Sequence, residues 1–98
     1  MAIATRAKIA AAVAIHSDVL RGWAFEEALP WDLLERELPR RAGPADVLSW
    51  CQSLEGFSVA EIAAARGVKV GTVRQSLRQC RKIPRDIRAE QRRRSRAN

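Results

Sequence analysis

Residues 56–80 read Gly-Phe-Ser-Val-Ala-Glu-Ile-Ala-Ala-Ala-Arg-Gly-Val-Lys-Val-Gly-Thr-Val-Arg-Gln-Ser-Leu-Arg-Gln-Cys, and their punctuation leaves few folds open. Ser58 precedes an apolar run and Glu61 follows it by three residues, the spacing of a reciprocal N-terminal cap. A helix is therefore predicted over Val59–Arg66. Gly67 supplies the residue that enters the left-handed region without a Cβ penalty, so the chain turns there. From Val70 to about Lys82 the apolar positions return at helical spacing. Ile62, Ala63, Val68, Val73 and Leu77 then serve as the pins and small contact between two helices crossing at a wide angle, with Gly67 as their turn and Phe57 anchoring the entry. That is the pattern of a helix-turn-helix.

The surrounding chain favours helix throughout. It has no Tyr and two Phe, its Val and Ile fall at helical rather than alternating spacing, and Ala, Leu, Glu, Arg and Gln dominate. Ninety-eight residues at 47% apolar make one all-α domain with a small core, which dimerisation would enlarge. The predicted architecture is a small helical bundle containing the helix-turn-helix. Residues 2–16 form an Ala-rich helix with Ile3, Ile9, Ala10 and Val13 inward. Ser17 or Asp18 caps a second helix over 18–29, with Leu20, Trp23, Ala24 and Leu29 at core spacing. Pro30 ends it, a short helix over 31–38 is closed by Pro39, and residues 40–43 form a loop. Pro44 opens a helix over 44–55, where Val47, Leu48, Trp50, Cys51 and Leu54 are apolar and Gly56 is the C-terminal glycine. Pro84 interrupts the last helix. By function the chain divides into residues 1–37 (core and dimerisation), 38–83 (the helix-turn-helix region) and 84–98, a basic tail too charged to pack that is either frayed helix or disordered.

Several chemistries find no support. Cys51 and Cys80 are the only thiols, without a disulfide framework, which points to free, packed thiols in a reducing compartment. With His16 as the single histidine and no close Cys pair, neither a metal site nor a cofactor is expected. His16, Ser17 and Asp18 are sequence neighbours without a positioned base, and no paired carboxylates or phosphate loop occur, so an enzyme is not expected. Arg6 and Lys8 before Ile9–Ile15 imitate a signal peptide only faintly, and the seven-residue apolar run is too short to span a bilayer. A cytoplasmic, nucleoid-associated protein without membrane contact is expected. Trp23, Trp31 and Trp50 are expected as core or interface anchors.

Charge is divided at the turn. Residues 1–65 hold 6 Lys/Arg and 9 Asp/Glu, whereas residues 66–98 hold 12 Lys/Arg and 2 Asp/Glu, net −3 against net +10. A polyanion-binding surface thus begins at Gly67 and runs to the C-terminus. On the second helix of the pair, Arg74, Gln75 and Arg78 face outward, and Arg and Gln side chains suit bidentate pairing with guanine and adenine edges. These three are the expected base contacts. Ser58, Lys69, Thr72, Arg81 and Lys82 are the expected phosphate contacts, which set register. Arg92, Arg93, Arg94 and Arg96 of the tail would add salt-dependent affinity along the backbone or in a minor groove. The bland alternative for the outward face is a solvated surface of a protein-binding module, and for the tail a solubilising terminus.

Gly56-Phe-Ser-Val-Ala-Glu-Ile-Ala, Gly67-Val, Val70-Gly-Thr-Val-Arg74 and Leu77, with Leu38-Pro39-Arg-Arg and Leu54-Glu55 upstream, resemble region 4 of bacterial sigma factors and the LuxR-type DNA-binding domain. The resemblance covers residues 38–82 and implies a second helix lying in the DNA major groove. Two positions depart from it. Arg66 stands where such domains usually carry Leu, weakening that pin or laying its stem over the core, and Lys69 replaces a common Ser cap. The chain is too short to hold the other sigma regions. The expected function is a sequence-specific transcriptional regulator, bound as a homodimer to double-stranded DNA. Two rivals stand beside it: a module that binds RNA polymerase or another regulator, and a DNA-organising or partition accessory.

Overall fold

The computed structural model describes residue 11 and residues 13–97, and the expectations for Ile3, Ile9 and Ala10 lie outside that range. Residues 13–15 are helical, and five helices follow: α1 Ser17–Glu26, α2 Trp31–Arg41, α3 Pro44–Leu54, α4 Val59–Arg66 and α5 Val70–Ala97. No strand occurs among the described residues, so the chain is an all-α bundle. α5 is its spine and packs most extensively on α3, then on α4.

One cluster forms the core, running from Val13 through Leu20, Trp23, Leu34, Leu38, Val47, Trp50, Ile62, Val73, Leu77 and Ile83 to Ile87. The boundaries drawn at 37/38 and 83/84 therefore do not separate cores. Trp23 and Trp50 meet edge to face at 5.1 Å between ring centroids, a geometry that adds to area burial. Both are buried, and Trp31 packs against the cluster from its edge.

The caps fall largely where the residues put them. Ser58 Oγ accepts the Glu61 amide at 3.1 Å while the Glu61 carboxylate accepts the Ser58 amide at 3.0 Å. The Ser58 amide and hydroxyl hold the Glu61 carboxyl below its usual range. Gly67 (φ 69°) and Gly56 (φ 102°) occupy the left-handed region after α4 and α3. At α1, by contrast, neither Ser17 nor Asp18 caps. The N-cap is His16, without a side-chain cap bond, and its Nδ1 meets Glu55 Oε1 at 2.8 Å, tying the start of α1 to the end of α3. α1 also stops at Glu26, and Leu29 reaches the core past a left-handed Ala28 (φ 55°).

Of the three predicted proline stops, Pro30 lies between α1 and α2, but those at Pro39 and Pro84 are overturned. Pro39 sits inside α2, which continues to Arg41, so Arg40 and Arg41 are helical rather than loop. Pro84 sits inside α5, which runs unbroken to Ala97 in place of the expected frayed or disordered tail. A proline in a helix interior costs about 3 kcal/mol through its missing amide and its ring clash. Here the ring is among the most buried side chains, flanked by buried Ile83 and Ile87. Arg88 adds bonds to the Glu27 carbonyl at 2.9 Å and the Glu27 carboxylate at 3.2 Å. Tertiary packing thus overrides local propensity.

Ile87→Ala is expected to destabilise the protein by about 2–5 kcal/mol in urea denaturation, the range for emptying a buried aliphatic site. A flexible tail would show no such loss. The thiols give a second check. Burial, with Glu55 near Cys51 and Asp46 near Cys80, pushes both up to about 12. At pH 8 only about one thiol in ten thousand is ionised. Alkylation is expected to be negligible in the native state, to rise as pH approaches 12, and to be fast at pH 8 once urea unfolds the chain.

Candidate nucleic-acid interface

The α4–turn–α5 unit is set in place by a polar socket that the sequence pattern did not suggest. Arg66, at the end of α4, donates through Nη1 to Ser49 Oγ of α3 at 2.9 Å and to Ser76 Oγ of α5 at 3.3 Å. Ser76 in turn donates to Asp46 Oδ1 of α3, and the Cys80 thiol reaches the Asp46 carbonyl at 3.5 Å. Ser49 and Ser76 are both buried. Arg66 therefore neither weakens the contact nor simply lays its stem over the core. Its guanidinium binds three helices together through directional, charge-assisted hydrogen bonds.

Apolar contacts complete the unit. Ile62, Ala63, Val73 and Leu77 are buried as expected. Val68 is not a pin: its side chain is 36% exposed, and the turn is held instead by its amide, which donates to the Ala63 carbonyl at 3.1 Å. Phe57 is half-exposed at 50% and anchors nothing fully.

With Val73, Ser76, Leu77 and Cys80 turned inward, the opposite face of α5 is free. Lys69, Gly71, Thr72, Arg74, Gln75, Arg78, Gln79, Arg81 and Lys82 are all exposed. Arg74, Gln75 and Arg78 thus share one accessible face, and Lys69 and Thr72 lie at its N-terminal end. Arg81 is drawn to one flank, with its guanidinium 5.9 Å from the Trp50 ring centroid. Ser58 has its oxygen committed to the α4 cap, which leaves its O–H as the only donor for a phosphate.

A groove of about 370 Å³ runs beside this face. Gln75, Arg78, Gln79 and Lys82 of α5 line one side and Arg41 of α2 lines the other, with Asp86 toward one end. A smaller hollow of about 260 Å³ lies between Val59 and the Arg74, Arg78 and Arg81 side chains. Arg41 is absent from the sequence-predicted contacts because a helix stop at Pro39 places it in a loop. Its guanidinium bonds Glu90 and reaches Glu37 at 3.2 Å. Burial works against its charge, but the bonds to Glu90 and Glu37 outweigh it and hold the group above its ordinary value. The bond from Arg41 in turn holds the Glu90 carboxyl below its usual range. The i, i+3 and i, i+4 spacing of Glu37 with Arg40 and Arg41 was the available signal.

Among the described residues there is no group of three His, Cys, Asp or Glu side chains able to hold a metal, and no helix long and apolar enough to cross a membrane. Set against protein-family models, curated proteins and solved structures, the chain matches none.

Arg66→Ala is expected to cost about 2–3 kcal/mol, since it strands buried hydroxyls that had a charged donor. Arg66→Leu combined with Ser49→Ala and Ser76→Ala should recover part of that loss, because it removes the buried hydroxyls together with their donor and leaves only the half-buried Asp46 carboxylate without its partner. Urea midpoints of the two variants check the pair.

Proposed function

We propose that the protein is a sequence-specific DNA-binding regulator that presents α5 to the major groove, with α4 and the turn as its supporting helix. The observation that carries this reading is the exposed Arg74, Gln75 and Arg78 face on a helix whose opposite side is locked into the core. A recognition helix needs both: donors suited to base edges and a fixed orientation. Lys69, Thr72, Arg81 and Lys82 flank that face as phosphate contacts, while Arg41 across the groove is paired with Glu37 and Glu90. The resemblance of residues 38–82 to sigma region 4 and LuxR-type domains points the same way, and a nucleoid-associated, cytoplasmic place follows from it. In this reading two copies set their α5 helices about 34 Å apart on a two-fold operator. The strongly exposed Ile15 (77%) and Phe25 (85%) supply apolar surface for such a pairing. Regulation follows from occupancy, by blocking or recruiting polymerase.

A second reading, a DNA-organising accessory, draws on the ten Lys/Arg that α5 carries against two acids. The two differ in whether sequence matters.

Selection from a random duplex pool at about 150 mM salt is expected to enrich an inverted repeat. Arg74→Ala and Arg78→Ala should each relax one base-pair position by about 1–3 kcal/mol, whereas Lys82→Ala weakens all duplexes alike. Binding without an enriched motif, equal in wild type and Arg74→Ala, establishes the organising role. No DNA binding at all moves the role to polymerase or another protein partner.

A further inference from the structure

The C-terminal half of α5 carries the furthest-reaching unassigned feature. By helical spacing Gln75, Arg78, Lys82, Arg85, Arg93 and Arg96 form one ridge along the full length of the helix. At 1.5 Å per residue, α5 spans about 42 Å, consistent with the molecule's 47 Å long axis. Of the two acids of α5, Glu90 is turned off that ridge and bonded to Arg41. Asp86, one turn beyond Lys82, lines the same groove as Gln75, Arg78 and Lys82 and is the single acid on the ridge side. Ile83, Pro84, Ile87 and the Arg88–Glu27 bonds fix the helix to the bundle, and residues 91–96 then stand clear of it, all exposed.

We infer that residues 91–97 are a rigid helical arm that grips the phosphate backbone of the same duplex, beyond the bases faced by Arg74, Gln75 and Arg78; this rests on the DNA-binding reading above. Chemistry narrows the occupant. Residues 88–97 contain no large apolar side chain, so the arm has no a/d seam for a coiled coil and no apolar face for a membrane surface. Arg88, Arg92 and Arg96 follow one another at i, i+4, where like charges destabilise a helix, and the Arg94–Glu90 pair at 3.9 Å offsets this only in part. A seven-residue helix of this kind does not hold alone in water. It holds as the continuation of an anchored helix, and a line of phosphates removes its repulsion. A duplex supplies that line on the side where the ridge already faces it.

The test is the salt dependence of binding to a fluorescein-labelled 20-base-pair duplex of mixed sequence, read by anisotropy between 50 and 300 mM NaCl. Replacing Arg92, Arg93, Arg94 and Arg96 with Gln is expected to reduce the log K–log salt slope by about 2 to 3, at about 0.9 per phosphate, because Arg94 is turned to Glu90 and away from the ridge. Arg74→Ala should reduce it by at most about 1. An eight-base-pair duplex, too short for both halves of α5, should give wild type and the four-Gln variant equal slopes. Gln91→Pro, which breaks the arm without removing charge, should lose at least half of the slope lost by the four-Gln variant. An unchanged slope in the four-Gln variant overturns the arm and leaves the recognition helix standing. A wild-type slope in Gln91→Pro overturns its rigidity. Failure of the wild type to bind either duplex overturns the DNA reading itself.

Discussion

One stripe on α5 orders the molecule. Val73, Leu77, Cys80, Ile83 and Ile87 recur every three or four residues, with Pro84 beside Ile83, and turn a single side of the helix into the floor on which α3 and α4 rest. Burying such a row is the dominant favourable term available to a chain of this size. Its geometric corollary is that the other side of α5 faces water along its whole length, and that side is where the basic residues stand. Packing and surface charge are thus two faces of one periodicity.

Apolar packing alone leaves rotational slack between helices, because it is not directional. Arg66 removes it at the point that matters most, where α4 meets α5. Bonds to Ser49 and Ser76, with Asp46 behind Ser76, specify both the crossing and the axial register of the pair. A Leu in place of Arg66 would fill volume but could not fix angles in the same way. The Arg66 site is therefore completed by Asp46 and Ser49, which lie outside the two-helix segment, and by Ser76, a position within it that carries no apolar pin.

What was legible in the sequence had local causes. Ser58 with Glu61 and Gly67 each act within one helical turn, and the structure realises both. The inward set Ile62, Ala63, Val73 and Leu77 could be read because period 3.6 is visible without knowing the partner helix. Misreadings came wherever a distant segment outweighed a local rule. Pro39 and Pro84 are helix breakers on their own, but the burial of Ile83 and Ile87 carries the backbone through Pro84. Continuation of α2 through Pro39 places Arg41 on the groove, and its partner Glu90 lies 49 residues away, beyond the reach of local spacing. Val68 looked like a pin, yet only its backbone is used.

The single core has a thermodynamic consequence. Because Val13, Trp23, Ile62 and Ile87 belong to one apolar cluster, the outward face of α5 has no separate domain to support it, and its integrity rises and falls with that of the entire chain. Any ligand captured on that face is linked to global unfolding and stabilises helices it never touches by the same mass-action term. Amide exchange in α1, on the acidic side of the molecule, would therefore slow when α5 is occupied. In a bundle this small, occupancy of one surface is registered everywhere.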